Sequence, residues 1–127
     1  MIYKLSARSL KNLSGVHKDL VAVVELALRI SEVDFCVIEG LRTILRQKEL
    51  VRAGASTTMN SRHITGHAVD LAPYIGGKVR FDWPPFYKIA AAIEEAADAL
   101  DIEVEWGGKW KFKDGPHFQL PWSKYPL

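Results

Sequence analysis

The chain has 127 residues, 48% of them hydrophobic and 25% charged, with a formal net charge of +2. That length supports one domain with a real core, and the balance is that of a globular protein rather than a disordered or fibrous one. A dedicated nucleic-acid binder is excluded because lysines and arginines are scattered among acids, and no apolar run is long enough to span a membrane; weak attraction to an anionic polymer remains open.

The opening MIYKLSARSL lacks the apolar centre of a signal peptide. SARSLKNLSG predicts a short helix with Ser6 as its cap and Gly15 as its stop. In VHKDLVAVVELALRIS the apolar residues Leu20, Val23, Val24, Ala27, Leu28 and Ile30 recur at helical spacing, which gives one buried face. DFCVIEG, apolar and closed by Gly40, predicts a strand. Its Cys36, the single cysteine, cannot form an internal disulfide and reads as a small core residue. TILRQKELVRAG predicts a helix capped by Thr43 and closed by Gly54. ASTTMNSRHITG is polar and loop-like, HAVDLAPY reads as a strand stopped by Pro73, and IGGKVRFDW as a turn or hairpin. PPFYKIAAAIEEAADALD is a strong helix, with prolines at its start and Ile89, Ala92, Ile93, Ala96 and Leu100 on one face. IEVEWGG and PHFQL predict strands joined by KWKFKDG. In that joint Lys109, Lys111 and Lys113 would share one side of a half-buried edge, with Trp110 and Phe112 on the other. The expected fold is α+β: a small, mostly antiparallel sheet with helices packed against it, in one domain spanning residues 1–127.

Asp70 stands among Ala68, Val69, Leu71 and Ala72. A carboxylate enters such surroundings only with a partner, which can be a protein cation or a metal. His63, Asp70 and His117 are the residue types that bind zinc, and three protein ligands leave the open position that a catalytic zinc needs. Asp114, three residues before His117, is placed to move a proton. The HxxxH pair at 63 and 67 is not a zincin motif, because position 64 is Ile and Gly66 interrupts any helix. Spacing alone leaves a plainer account open. In it His63 and His67 are loop histidines, Asp70 pairs with Arg42 or a backbone donor, Arg42 pairs with Glu39 or Glu49, and Asp114 is a turn residue. If HAVD is a strand, His67 and Asp70 face opposite ways, so His67 is not expected as a ligand beside Asp70. Trp106, Trp110 and Trp122 are candidates to line a cleft or to pack at its rim.

SRHITGHAVD resembles the S-x-H-x-x-G-x-A-x-D pattern of the M15 zinc peptidases, the group of D-Ala-D-Ala carboxypeptidases and dipeptidases; Ser61, His63, Gly66, Ala68 and Asp70 fall on it. DGPHF and EWGGKW resemble the family's later elements, and VIEGLRTILRQKEL the segment that supplies a substrate-facing arginine, here Arg42. The small size, the GVHKDLVAVVELAL opening and Asp at 114 are most similar to phage endolysins of the L-alanyl-D-glutamate endopeptidase type. The resemblance implies a hedgehog/D-Ala-D-Ala peptidase-like fold. It implies Zn2+ held by His63, Asp70 and His117, with Asp114 as general base and then general acid. Arg42 would serve the oxyanion or a substrate carboxylate, and Ser61 would orient a ligand from behind. The implied substrate is the stem peptide of peptidoglycan, cut between L-alanine and D-glutamate. Within the same resemblance the D-Ala-D-Ala bond, or a zinc-containing wall-binding module without turnover, are the alternatives. A monomer is expected, since no oligomer seam is legible. Synthesis in the host cytoplasm and release to the wall through another protein's pore follow from the resemblance alone.

Overall fold

The computed structural model describes residues 2–56 and 58–126. Helices α1 (Ala7–Asn12) and α2 (Lys18–Ile30) precede strand β1 (Phe35–Glu39) and helix α3 (Ile44–Arg52). Strands β2 (Ala68–Ile75) and β3 (Lys78–Val79) lead into the long helix α4 (Trp83–Leu100). Strand β4 (Glu105–Trp106), a 3-10 turn (Gly107–Lys109) and strand β5 (His117–Gln119) complete the chain. The sheet runs β1-β2-β5-β4, with β3 paired to β2, and every pairing is antiparallel. This is the α+β architecture expected from the sequence.

The two long helices form where the apolar spacing put them, except that Ile30 and Leu100, expected on the buried faces, are exposed at the helix ends. Leu20, Val23, Val24, Ala27 and Leu28 of α2 and Phe86, Ile89, Ala92, Ile93, Ala96 and Ala97 of α4 are buried. Each fully buried aliphatic side chain contributes about 1.5–3 kcal/mol. Prolines at the first positions of α4 cost no hydrogen bond there, and Asp101 closes the helix in the left-handed region at φ 56°. Ser6 and Thr43 cap α1 and α3, each accepting a backbone N–H, as the sequence predicts. Helix α1 ends at Asn12, before Gly15, which carries a positive φ of 85° in the following turn.

Strand alternation divides the sheet into two faces. Phe35, Val37, Val69, Leu71 and Phe118 join the helices in one hydrophobic core. Asp70, His117 and Gln119 are the intervening positions and face the other way. Cys36 also falls between core positions and is only half-buried, so it is not the core residue expected; its thiol lies 3.7 Å from the Ala72 carbonyl oxygen. The KWKFK segment also departs from expectation. It is a 3-10 turn followed by bends, and Phe112 is 85% exposed, because Trp110 and Asp114 both donate backbone N–H to the Gly107 carbonyl and fold the segment back on itself. It forms no strand edge.

The C-terminal segment is fastened to the body by buried Arg62. Its guanidinium donates to the carbonyls of Leu120, Pro121 and Tyr125 and lies 4.1 Å from the Trp122 ring centre. The Tyr125 hydroxyl donates to Asp19 at 2.7 Å. Under this clasp sits His67, its ring 5.5 Å from that of His17 and 6.3 Å from that of Tyr125. Burial, then the charges of Arg62 and His17, lower the His67 pKa. A histidine with a depressed folded pKa takes up its proton more readily when unfolded, so its contribution to stability is present above the unfolded value of about 6.5 and is lost as pH falls below it. Denaturant midpoints measured from pH 7.5 to 5 are therefore expected to fall less steeply in His67→Gln than in the unaltered protein.

Candidate metal centre and active-site cleft

The register of the sheet assembles the centre. Asp70 in β2 pairs with Glu39 across β1 and with His117 across β5. An irregularity between Val37 and Glu39 in β1 brings Glu39 level with Asp70. His63 arrives from the loop before β2 and is 2% exposed. Gly66 makes that arrival possible: its φ is +77°, and a Cβ there would sit 2.5 Å from the Gly15 carbonyl oxygen. The Gly66 carbonyl accepts from His17 N at 2.8 Å, and the His63 carbonyl accepts from Arg42 N at 2.9 Å. Ser61 Oγ accepts from His63 N at 3.2 Å, so this serine holds the backbone of a site histidine.

One carboxylate oxygen, Asp70 Oδ1, lies 3.2 Å from His63 Nε2 and 3.4 Å from His117 Nδ1. The three residues offer ligand atoms that all fall within 4.8 Å of one another. Their outer nitrogens are already committed. His63 Nδ1 donates to the Gly40 carbonyl at 2.8 Å. His117 Nε2 donates to Gln119 Oε1 at 2.8 Å, and Gln119 Nε2 in turn donates to Glu105, which fixes the way the amide faces. Two neutral imidazoles tethered in this way aim two lone pairs at a carboxylate. That arrangement repels itself unless a cation joins it, either extra protons or a metal. The donor set of two imidazole nitrogens and one carboxylate oxygen fits zinc chemistry.

The electrostatics agree. Burial would raise the Asp70 pKa, but hydrogen bonds and positive charge from His117 and His63 outweigh it and hold the carboxyl well below its usual range. Burial would lower the His117 pKa; the Asp70 carboxylate and the Gln119 bond outweigh it and raise it. Asp70 Oδ2 faces Arg42 Nη2 at 3.9 Å. Arg42 itself donates to Glu39 Oε1 at 2.6 Å and to Gln47 Oε1 at 2.7 Å. The pairing of Arg42 with Glu39 that the sequence left open is thus present, together with a place beside Asp70; Glu49 pairs with Arg46 instead.

A cleft of about 840 Å³ contains the centre and is lined by Arg42, Ser61, His63, Asp70, Asp114 and His117, with Trp110 and the Lys111–Lys113 segment on its far side. Asp114 reaches it because its N–H donates to the Gly107 carbonyl at 2.9 Å, and a Cβ on Gly107 would meet the Asp114 carbonyl oxygen at 2.5 Å. The Asp114 side chain is open to solvent at the cleft mouth, yet the crowding walls and then the negative charge of Asp70 raise its pKa, only partly offset by His117, His63 and Arg42. The structure therefore brings together every residue expected at the site: His63, Asp70, His117, Asp114, Arg42 and Ser61. His67 lies elsewhere. Of the three candidate tryptophans only Trp110 lines this cleft. Trp106 stacks on Phe118 and lines a separate groove of about 600 Å³ beside α4, and Trp122 lies against Arg62. Sequence reasoning missed Gln119, Gln47 and the Gly40 carbonyl. Gln119 was within reach, since two residues along a strand returns to the face of His117.

A family model described as phage L-alanyl-D-glutamate peptidase matches residues 1–120. The chain belongs to this family. It is 33% identical over 129 residues to the L-alanyl-D-glutamate peptidase of Escherichia phage T5, covering 98% of this chain and 94% of that protein. It is 33% identical over 123 residues to the L-alanyl-D-glutamate peptidase of Listeria phage A118, covering 94% of this chain but 43% of that longer protein. Among solved structures, that of the Serratia marcescens L-Ala D-Glu endopeptidase ChiX superposes with a TM-score of 0.93 at 54% identity, over 98% of this chain and 95% of that one. The family agrees with the endolysin subgroup that the motifs resemble. For a member of this family the tethered histidines have a measurable consequence. Titration calorimetry with zinc is expected to give one site per chain, lost in His117→Ala. In Gln119→Ala the affinity is expected to be weaker by roughly 10–100-fold, the usual cost of removing a partner that orients a ligand.

Proposed function

We propose that the protein is a zinc-dependent peptidoglycan endopeptidase that hydrolyses the amide between L-alanine and D-glutamate in the stem peptide, with the domain of residues 1–127 as the catalytic unit. The observation that carries this reading is the convergence of His63, Asp70 and His117 on one point in a cleft that Asp114 also lines. Family membership supplies the bond.

His63 Nε2, Asp70 Oδ1 and His117 Nδ1 would hold the ion. Bound there, zinc polarises a carbonyl and makes water a competent nucleophile at neutral pH. The chain does the rest. Asp114 accepts the proton of the attacking water as the C–O bond forms, then delivers it to the departing amine as the C–N bond breaks. Its raised pKa suits both halves of that task, because a carboxyl closer to neutrality holds a proton long enough to pass it on. Arg42, fixed by Glu39 and Gln47, supplies positive potential beside Asp70 where negative charge grows on the substrate oxygen. Ser61 keeps the His63 backbone in place. The two aspartates thus divide the work by position: Asp70 is locked between imidazoles, and Asp114 stays free to exchange a proton. No serine or cysteine nucleophile is required.

No helix among the described residues is long and apolar enough to cross a membrane. In this reading the monomeric enzyme is made in the host cytoplasm and reaches the wall through a pore supplied by another protein. Zinc-loaded protein incubated with purified peptidoglycan is expected to release new amino termini on glutamate, with alanine left on the muramyl side, as read by mass spectrometry. Release of D-alanine would move the assignment to the carboxypeptidases, and no new termini would leave a binding module. Asp114→Asn is expected to keep its zinc and lose about 10²–10⁴-fold in kcat; loss of metal along with activity would remove the proton-transfer role.

A further inference from the structure

The cleft carries negative charge from Glu39, Asp70 and Asp114. Against it stands Arg42, whose guanidinium is already occupied by Glu39, Gln47 and Asp70. Two more cations line the same cleft, Lys111 and Lys113. Both are exposed, and among the described residues neither has a carboxylate within 4.0 Å. Lys113 Nζ lies 5.7 Å above the Trp83 ring and Lys111 Nζ 6.0 Å from that of Phe112. Each contact sets the ammonium at the edge of cation–π range of an aromatic ring and leaves it without a carboxylate partner among the described residues.

We propose that Lys111 and Lys113 read the free carboxylate of the substrate's glutamate and set the enzyme's preference for it. The proposal rests on the endopeptidase reading above. A glutamate that gives its amine to the scissile bond and one carboxyl to the onward chain keeps one carboxylate ionised at neutral pH. Asp114 protonates that same amine when it leaves, so the glutamate comes to rest beside Asp114. Lys113 immediately precedes Asp114 in the chain, Lys111 lies two residues before that, and both line the cleft. Bound zinc and Arg42 are matched by the acids Glu39, Asp70 and Asp114, so Lys111 and Lys113 are the cleft-lining cations that, among the described residues, have no carboxylate partner and can meet the substrate's anion. Lysine suits this task, being a compact charge on a flexible stem that can follow a carboxylate into place. Phe112, 85% exposed between them, offers the apolar surface against which the substrate's methylenes can lie.

The test compares two synthetic stem peptides that differ only at this carboxylate, one free and one converted to the primary amide. The kcat/KM of each is measured for the zinc-loaded protein, for Lys111→Met, for Lys113→Met and for the double variant. The unaltered protein is expected to prefer the free carboxylate by roughly tenfold or more, the scale of a hydrogen bond to a charged group. In the double variant that ratio is expected to fall towards one, chiefly through KM for the free carboxylate. The ratio does not depend on how much of a preparation is folded, so a merely structural effect leaves it unmoved. A preference that survives in the double variant, or equal cleavage of both peptides by the unaltered protein, overturns the assignment of the lysines and leaves the endopeptidase reading intact. Cleavage of neither peptide by the unaltered protein overturns both.

Discussion

The antiparallel pairing of β2 with β5 is the constraint on which the site depends. It sets Asp70 directly beside His117 on one face of the sheet, while Val69 and Phe118, paired one step along, point into the core. A slip of one residue in either strand would turn Asp70 or His117 into the core and a core residue into the cleft. The buried apolar face therefore fixes the register, and the register fixes the geometry of the candidate metal centre. Packing energy far larger than anything the site's hydrogen bonds supply is what holds two imidazoles against a carboxylate.

His63 is the member of the candidate metal-binding group that the sheet does not carry, and it is held by different means. Its loop is clamped from three directions: Arg62 reaches under the C-terminal segment, Gly66 packs its backbone against Gly15, and the imidazole donates to Gly40. Such clamping costs a buried guanidinium, whose Nη1 has no hydrogen-bond partner among the described residues. The other four contacts of that side chain, all to carbonyl oxygens, offset the cost. The loop is thereby tied into the body of the domain at several points beside the cleft, which is the kind of support a preorganised site requires.

Much of this was legible in the sequence because it rests on local patterns. The faces of α2 and α4 follow from apolar spacing, and the caps at Ser6 and Thr43 from residue type. The convergence of His63 and Asp70 was expected from the motif that Ser61, His63 and Asp70 share with known peptidases, since the spacing by itself left the plainer pairing of Asp70 with Arg42 open. What escaped depends on contacts distant in sequence. The bond from His63 to Gly40 joins residues 23 apart, and that from Arg62 to Tyr125 joins residues 63 apart. The KWKFK segment misled for the opposite reason. Its alternation is real, but the Gly107 carbonyl captures two N–H groups that a strand would have used in pairing. Gly107 decides the matter by letting the chain fold back where any side chain would collide with Asp114.

The division of the sheet into a core face and a ligand face has a consequence for how the protein can change. Substitutions on one face alter how firmly the domain folds, and those on the other alter what it does. The two sets interleave along the same few strand residues, so a single codon step along β2 or β5 crosses from one ledger to the other. A lineage can accordingly rebuild the helices and the hydrophobic packing freely while its chemistry stays put, provided the order of inward and outward positions is kept. The segment that carries Lys111 and Lys113 lies outside this interleaving, so the cleft wall it forms can change while the order of inward and outward positions in the strands stays as it is.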